Sequence, residues 1–337
     1  MLLKDLYPGL NEGAKLLASE ISGFSGPTGN VYYVCATTDT NYALMKLLYS
    51  QVYNDGSQAF CDTLEEAYAR CVTNRNDVIA LNGNTSHAVS TGIDWTKNRI
   101  HVVGMDGAGA RLTDQGAKIS LSGAVDSAYV IKVTGTRNSF HNLKVIQSST
   151  HANALFVVQD GAEGSLYENC SFIFGVVNNL GGTTAHEFLA GCDSATFLNC
   201  EFGADTLLTS AARSVFHIDQ ISGFEFKSNR ARGCTFKMSS SSSTATFIRL
   251  DAVGDILFSN IFEDCVFMAS VDSAGGAAIA EAVQTGTSTV KGCLAFVRPA
   301  AFNVTDFATA TSGRNAAVQV VAAVSVAAAI EGIKPTA

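Results

Sequence analysis

Through the middle of the chain, hydrophobic and polar positions alternate in short runs of period two, each broken by a single turn residue. That is the pattern of strands bent at a one-residue corner, since alternate side chains of a strand point to opposite faces. The frame is apolar–x–turn–Cys–x–Phe. It occurs at Tyr167–Asn169–Cys170–Phe172, Phe197–Asn199–Cys200–Phe202, Ala231–Gly233–Cys234–Phe236 and Phe262–Asp264–Cys265–Phe267. Upstream, Phe140–Asn142–Leu143–Val145 repeats it with Leu in place of Cys. Downstream, Val290–Gly292–Cys293 repeats it with its aromatic displaced to Phe296, as a bulge would do. The recurrence comes about every 30 residues, a solenoid period.

The turn column, Asn142, Asn169, Asn199, Gly233, Asp264 and Gly292, holds only residues that tolerate a positive φ, so the backbone is expected to bend there in the left-handed conformation. A second strand-like column runs in step, and aligning Phe156, Phe188, Phe216, Ile248 and Ile279 gives the same irregular period. Helical repeats would need long 3.6-period stretches, and none fits inside these units. The pattern predicts an all-β chain folded as a parallel β-helix, in which each coil lays its strands directly above those of the coil before. Cys170, Cys200, Cys234, Cys265 and Cys293 then form a buried stack of small apolar residues, with Phe172, Phe202, Phe236 and Phe267 as its aromatic neighbour. A cysteine repeated at one place in five coils is a ladder residue; a nucleophile gains nothing from the repetition.

The flanks differ from the coils. Thr63 and Glu66 have capping-box spacing, and Leu64, Ala67, Tyr68 and Cys71 share one helix face, so a helix near 63–72 is expected to cover the open end of the stack. The chain divides into an attachment or packing segment (1–52), the β-helix with its capping helix (53–300) and an Ala/Val-rich segment (301–337).

Composition narrows the function classes. The 337 residues are 47% hydrophobic and only 15% charged, with a net charge of −8 and no basic run. That balance argues against nucleic-acid binding, which needs clustered Lys and Arg. The N-terminus has Lys4, Asp5 and Pro8 inside its apolar stretch, unlike a secretory signal, and the apolar run 316–330 is too short to span a bilayer. With no signal, nine cysteines are expected to stay reduced. The six histidines show no metal-ligand spacing, so no metal and no cofactor is expected.

The order "NDGSQAFCDTLEEAYARCVTNRNDVIALNGNTSH", then "IHVVGMDGAGARL", then the N-C-x-F coils, resembles the pectin-lyase-like right-handed β-helix superfamily, and in particular the β-helix proteins of bacteriophage particles. The resemblance covers roughly residues 53 to 300 and implies the right-handed sense of the coil. It implies two functions. One is a non-enzymatic virion protein: a capsid decoration or head-fibre shaft, homotrimeric, made in the host cytoplasm and bound to the major capsid protein or another virion component, with no nucleic acid or membrane partner. The alternative is a tailspike-type depolymerase, a lyase or hydrolase acting on host surface glycans with paired carboxylates on an outer face. For that chemistry the candidates are Asp219 and Asp251 with Arg249 and His217, in the "FHID" and "IRLD" strands one coil apart. An ordinary ladder of opposite charges on neighbouring strands is the competing account of the same four residues.

Overall fold

The computed structural model describes residues 29–83, 85–105, 117–175, 185–204, 208–209, 214–221, 225–240, 245–250, 256–269, 277–282, 292–297, 300–302, 304–306, 309–310 and 318–322. Asp251, most of the 1–52 segment before Gly29 and much of 301–337 lie outside them.

The strands form three parallel sheets, one of twelve strands and two of nine, wound in about seven turns. One coil runs Ser139–His141 in the first sheet, Lys144–Ser149 in the second and Phe156–Asp160 in the third. The next coil repeats the order with Leu166–Glu168, Ser171–Phe174 and His186–Ala190. This is the parallel β-solenoid that the repeat predicts, and the right-handed sense is the one parallel crossovers favour.

Between the first and second sheets the chain turns at Asn142, Asn169, Asn199, Gly233 and Asp264, with φ of 55°, 51°, 51°, 65° and 53°. The corner does not interrupt the ladder. Asn142 N–H donates to Glu168 O, Asn169 to Leu198 O, Asn199 to Arg232 O, Gly233 to Glu263 O and Asp264 to Val297 O. At 233 the left-handed φ suits glycine, and a Cβ there would lie 2.5 Å from Asn199 Oδ1, so that the Asn199 side chain would have to shift.

A second left-handed corner, before the first sheet, falls at Arg137, Gly164, Ser194 and Ser228. Buried asparagines beside it serve the backbone: Asn138 Oδ1 accepts from Ile100 N, and Asn229 Oδ1 from Ala195 N. Such polar groups can sit inside a shaft only because each finds a backbone partner.

The interior is stacked in columns. Phe140, Tyr167 and Phe197 lie ring over ring at 5.1 and 5.2 Å, and Phe172, Phe202, Phe236 and Phe267 at 5.3, 4.9 and 4.8 Å. These spacings match the ~4.8 Å between strands, so each ring meets the next at van der Waals distance. Cys170, Cys200, Cys234 and Cys265 are buried beside them. Burial holds the Cys200 thiol well above the usual range, which leaves it protonated and unreactive.

Three register expectations differ from the structure. Cys293 lies opposite Ser259, and Gly292 opposite Phe258 inside the strand Gly292–Val297, so neither continues the cysteine or the corner column. The stacking of Phe296 on Phe262 at 5.2 Å sets that coil's register instead. In the third sheet Phe188 and Phe216 do stack, at 5.3 Å, and Ile248 follows. Their partners on either side are Val158 and Ala280, not Phe156 and Ile279. The strand Phe156–Asp160 turns Asp160 into line with buried Ala190 and Ile218, which carries Phe156 two places back.

At the N-terminal end, α1 (Tyr42–Leu48) packs outside the first sheet and α2 (Leu64–Arg70) covers the interior. Thr63 caps α2 by accepting from Glu66 N, and Glu66 Oε2 accepts from Asp62 N in return.

Candidate functional site

The outer face of the third sheet carries the residues that would serve glycan chemistry. His217 and Arg249 lie directly opposite each other on neighbouring strands. Asp219 follows the strand Ser214–Ile218, and its Oδ1 accepts from Gln220 N at 2.7 Å. The segment 219–221 passes so close to the two coils before it that a Cβ on Gly191 would meet Asp219 O at 2.5 Å, and one on Gly161, a coil further back, would meet the Ile221 side chain at 2.5 Å. Asp219 is therefore part of a tight crossing. Asp251, its intended partner, lies outside the described residues.

The column through His217 is more polar than the sequence alignment of the third column implies. The register runs Asp94, Lys132, Gln159, Leu189, His217, Arg249, Glu281. Val157 and Ala280, placed beside His217 and Arg249 by that alignment, belong to other columns because of the slips described above. His217 also packs its ring 4.2 Å from His186, whose Nδ1 lies 2.9 Å from Ser214 Oγ.

Two further constellations could not be seen before the register was known. On the outer face of the first sheet, Glu168 Oε2 is 3.1 Å from His141 Nδ1, His141 Nε2 is 3.0 Å from Ser139 Oγ, and Ser139 Oγ is 2.7 Å from His101 Nδ1. This is the connectivity of a Ser–His–acid triad. It lacks the approach: Ser139 is 3% exposed and His141 1%. Two flanking N–H groups are also committed elsewhere, Leu166 N to Asn138 O and Asn142 N to Glu168 O.

The second is Asp160, fully buried in the shaft. Its Oδ1 accepts from Ala162 N and its Oδ2 from Tyr167 Oη, each at 2.9 Å. Burial raises its pKa to about 6. Among the described residues, no group of three or more His, Cys, Asp or Glu could hold a metal ion, and no helix is long and apolar enough to cross a membrane.

No protein-family model and no curated protein matches the chain. Among solved structures it is similar to the pectin methylesterase PemA from Erwinia chrysanthemi, at 10% identity over 88% of this chain and 94% of that one, with a TM-score of 0.45. A pectate lyase matches at 14% identity over 86% of this chain and 80% of its own, with a TM-score of 0.46. The Dettilon tailspike protein matches at 9% identity over 81% of this chain and 50% of its own, with a TM-score of 0.40. All three are right-handed parallel β-helix proteins of the pectin-lyase-like superfamily. The likeness is one of chain path, and their chemistry does not pass to this chain with it.

Proposed function

We propose that the chain is a non-enzymatic structural protein of a bacteriophage particle, a β-helical shaft that decorates the capsid or forms part of a head fibre. The observation that carries the reading is the pairing of outward charges from coil to coil. Arg230 meets Glu263 at 2.5 Å, Lys227 meets Asp193 at 2.5 Å and Lys237 meets Glu201 at 3.0 Å. Such pairs knit neighbouring coils, whereas a catalytic groove keeps its charges converging on a shared space. The resemblance of residues 53–300 to virion β-helix proteins supplies the setting. In this reading the shaft is a homotrimer on the virion, and its 1–52 segment binds the major capsid protein or a neighbouring virion component.

A second reading, a glycan depolymerase, is favoured by one observation, the polar column from Lys132 to Glu281 on the third sheet. Electron cryomicroscopy of particles carrying the chain separates the two. Many copies on the capsid lattice, joined near residues 1–52, support the structural role. A few copies at a tail tip, with glycan digestion abolished by Asp219→Ala in a folded variant, support the enzyme and overturn the structural role.

A further inference from the structure

The corner before the first sheet holds one residue out of keeping with the rest. Its positions run Arg137, Gly164, Ser194 and Ser228, and the next coil puts Phe258 there at φ 55°. That coil is longer at the corner. Lys227 lies opposite Leu257 and Arg230 opposite Ile261, so Ser228 and Asn229 in one coil face Phe258, Ser259 and Asn260 in the next. Asn260 Oδ1 accepts from Asn229 N, which keeps the two asparagines level and leaves the extra residue at 258–259. An inserted residue re-aims a side chain, and here a phenyl ring is turned out of the shaft, 62% exposed.

Two costs meet in that ring. A positive φ is strained for a bulky residue, and the exposed ring keeps apolar area in water. Asn, which fills the first corner at 142, 169 and 199, would make the same bend with neither cost. Backbone strain of this kind persists where some contact offsets it. The neighbours along the corner are small: Ser228 precedes Phe258, and Gly292 lies opposite it in the coil after. Phe258 therefore stands out from the corner as a knob.

The occupant that fits this knob is a second copy of the chain. The chain as a whole carries a charge of −8, so copies repel over most approaches. The corner is balanced, with Arg137 and Lys227 against Glu163 and Asp193, and Lys227 pairs with Asp193 at 2.5 Å. Repulsion is least where this corner faces its own kind. Cyclic symmetry about an axis parallel to the shaft sets the same coil of every copy at the same height. A residue close to that axis meets its own equivalents, so a knob needs no matching pocket: the other knobs cover it.

We propose that this corner is the edge along which copies of the chain associate in a three-fold bundle, with the Phe258 rings packed on one another at the axis. The inference rests on the homotrimer of the reading above and is independent of the virion setting. It gives the trimer a single apolar anchor on each chain, set in a polar and charge-balanced edge.

The test takes the purified full chain through a dilution series, with its mass in solution read by sedimentation velocity and native mass spectrometry. A trimer is expected. Phe258→Asn should weaken association by about 30-fold or more, the loss typical of an interface anchor. Diluted to monomers, that variant should resist unfolding at least as well as the native chain, so lost association is not lost folding. Proximity is read with Phe258→Cys and a short bismaleimide, since the free thiols among the described residues are buried. Copies should be joined through Phe258→Cys and through Ser194→Cys on the same corner. They should not be joined through Ser122→Cys, exposed on the second-sheet strand Lys118–Gly123. A trimer joined through Ser122→Cys and not through the corner overturns the inference and leaves the homotrimer standing. So does a trimer that Phe258→Asn does not weaken. A native chain that stays monomeric or dimeric overturns the inference and the homotrimer together, and leaves the virion role to the micrographs. If the variants at 258 do not fold, absence of joining through Ser194→Cys overturns it.

Discussion

Replacing Asp160 by Asn should remove the part of the chain's pH-dependent stability that this one carboxyl contributes. Asp160 is 0% exposed and faces into the shaft, opposite Val133 in one neighbouring coil and Ala190 in the other. Its pKa, near 3.8 in an unfolded chain, is raised by burial to about 6 in the folded one. Between those values the folded protein keeps a proton that the unfolded chain has released. The contribution of this group to stability therefore falls as pH rises from 3.8 to 6 and is flat above. At 1.36 kcal/mol for each pH unit, the ionised carboxylate costs about 3 kcal/mol at pH 8.

Asn keeps the size of the side chain and can still accept from Ala162 N, while Tyr167 Oη turns to accept from the new amide. The variant should thus match or trail the native chain at pH 4 and exceed it by about 1–3 kcal/mol at pH 8. Denaturant unfolding followed by Trp95 fluorescence at five values between pH 4 and 8 measures the difference. A native-minus-variant difference that stays constant with pH, or grows in the native chain's favour as pH rises, would refute the account of Asp160 as a buried acid.

Other positions give independent checks. Phe258 is 62% exposed and sits at φ 55°, where a bulky residue is strained, so Phe258→Asn should stabilise by about 1 kcal/mol in the same unfolding assay. Gly191→Ala places a Cβ 2.5 Å from Asp219 O and should cost about 1–3 kcal/mol, with nearby Gly161→Ala behaving alike against Ile221. The eight free thiols that are buried among the described residues, Cys200 and Cys192 among them, should resist a thiol reagent in the native chain and react together on unfolding; fast labelling of Cys200 in native protein would contradict the ladder.

The fold was legible because a few residue types recur in fixed places. Asn169, Cys170 and Phe172 return as Asn199, Cys200 and Phe202, and the stack follows from that. The second corner was not legible, since Arg137, Gly164, Ser194 and Ser228 share a conformation without sharing chemistry. Register was lost wherever the largest apolar residue was not the one facing in. Phe156 yields to Val158 because Asp160 turns inward, and Cys293 yields to Phe296 because aromatic stacking sets that coil. The polar chain on the first sheet was hidden for another reason. His141 and Glu168 are 27 residues apart, and His101 and Ser139 38, so they meet only once unequal coils are laid in register.

The hydrogen bonds that pass each corner, from Asn142 to Glu168 and on through Asp264 to Val297, all point along the shaft. Tension applied between the two ends of the chain therefore loads coils one after another, like a zipper, and not all bonds at once. Each coil that gives way pays out about 30 residues, roughly 100 Å of extended chain. Sideways bending is resisted by the packed aromatic interior, and end-on compression by strands already in contact. Such an object is stiff as a strut and extensible as a tether, and its response depends on the direction of the force.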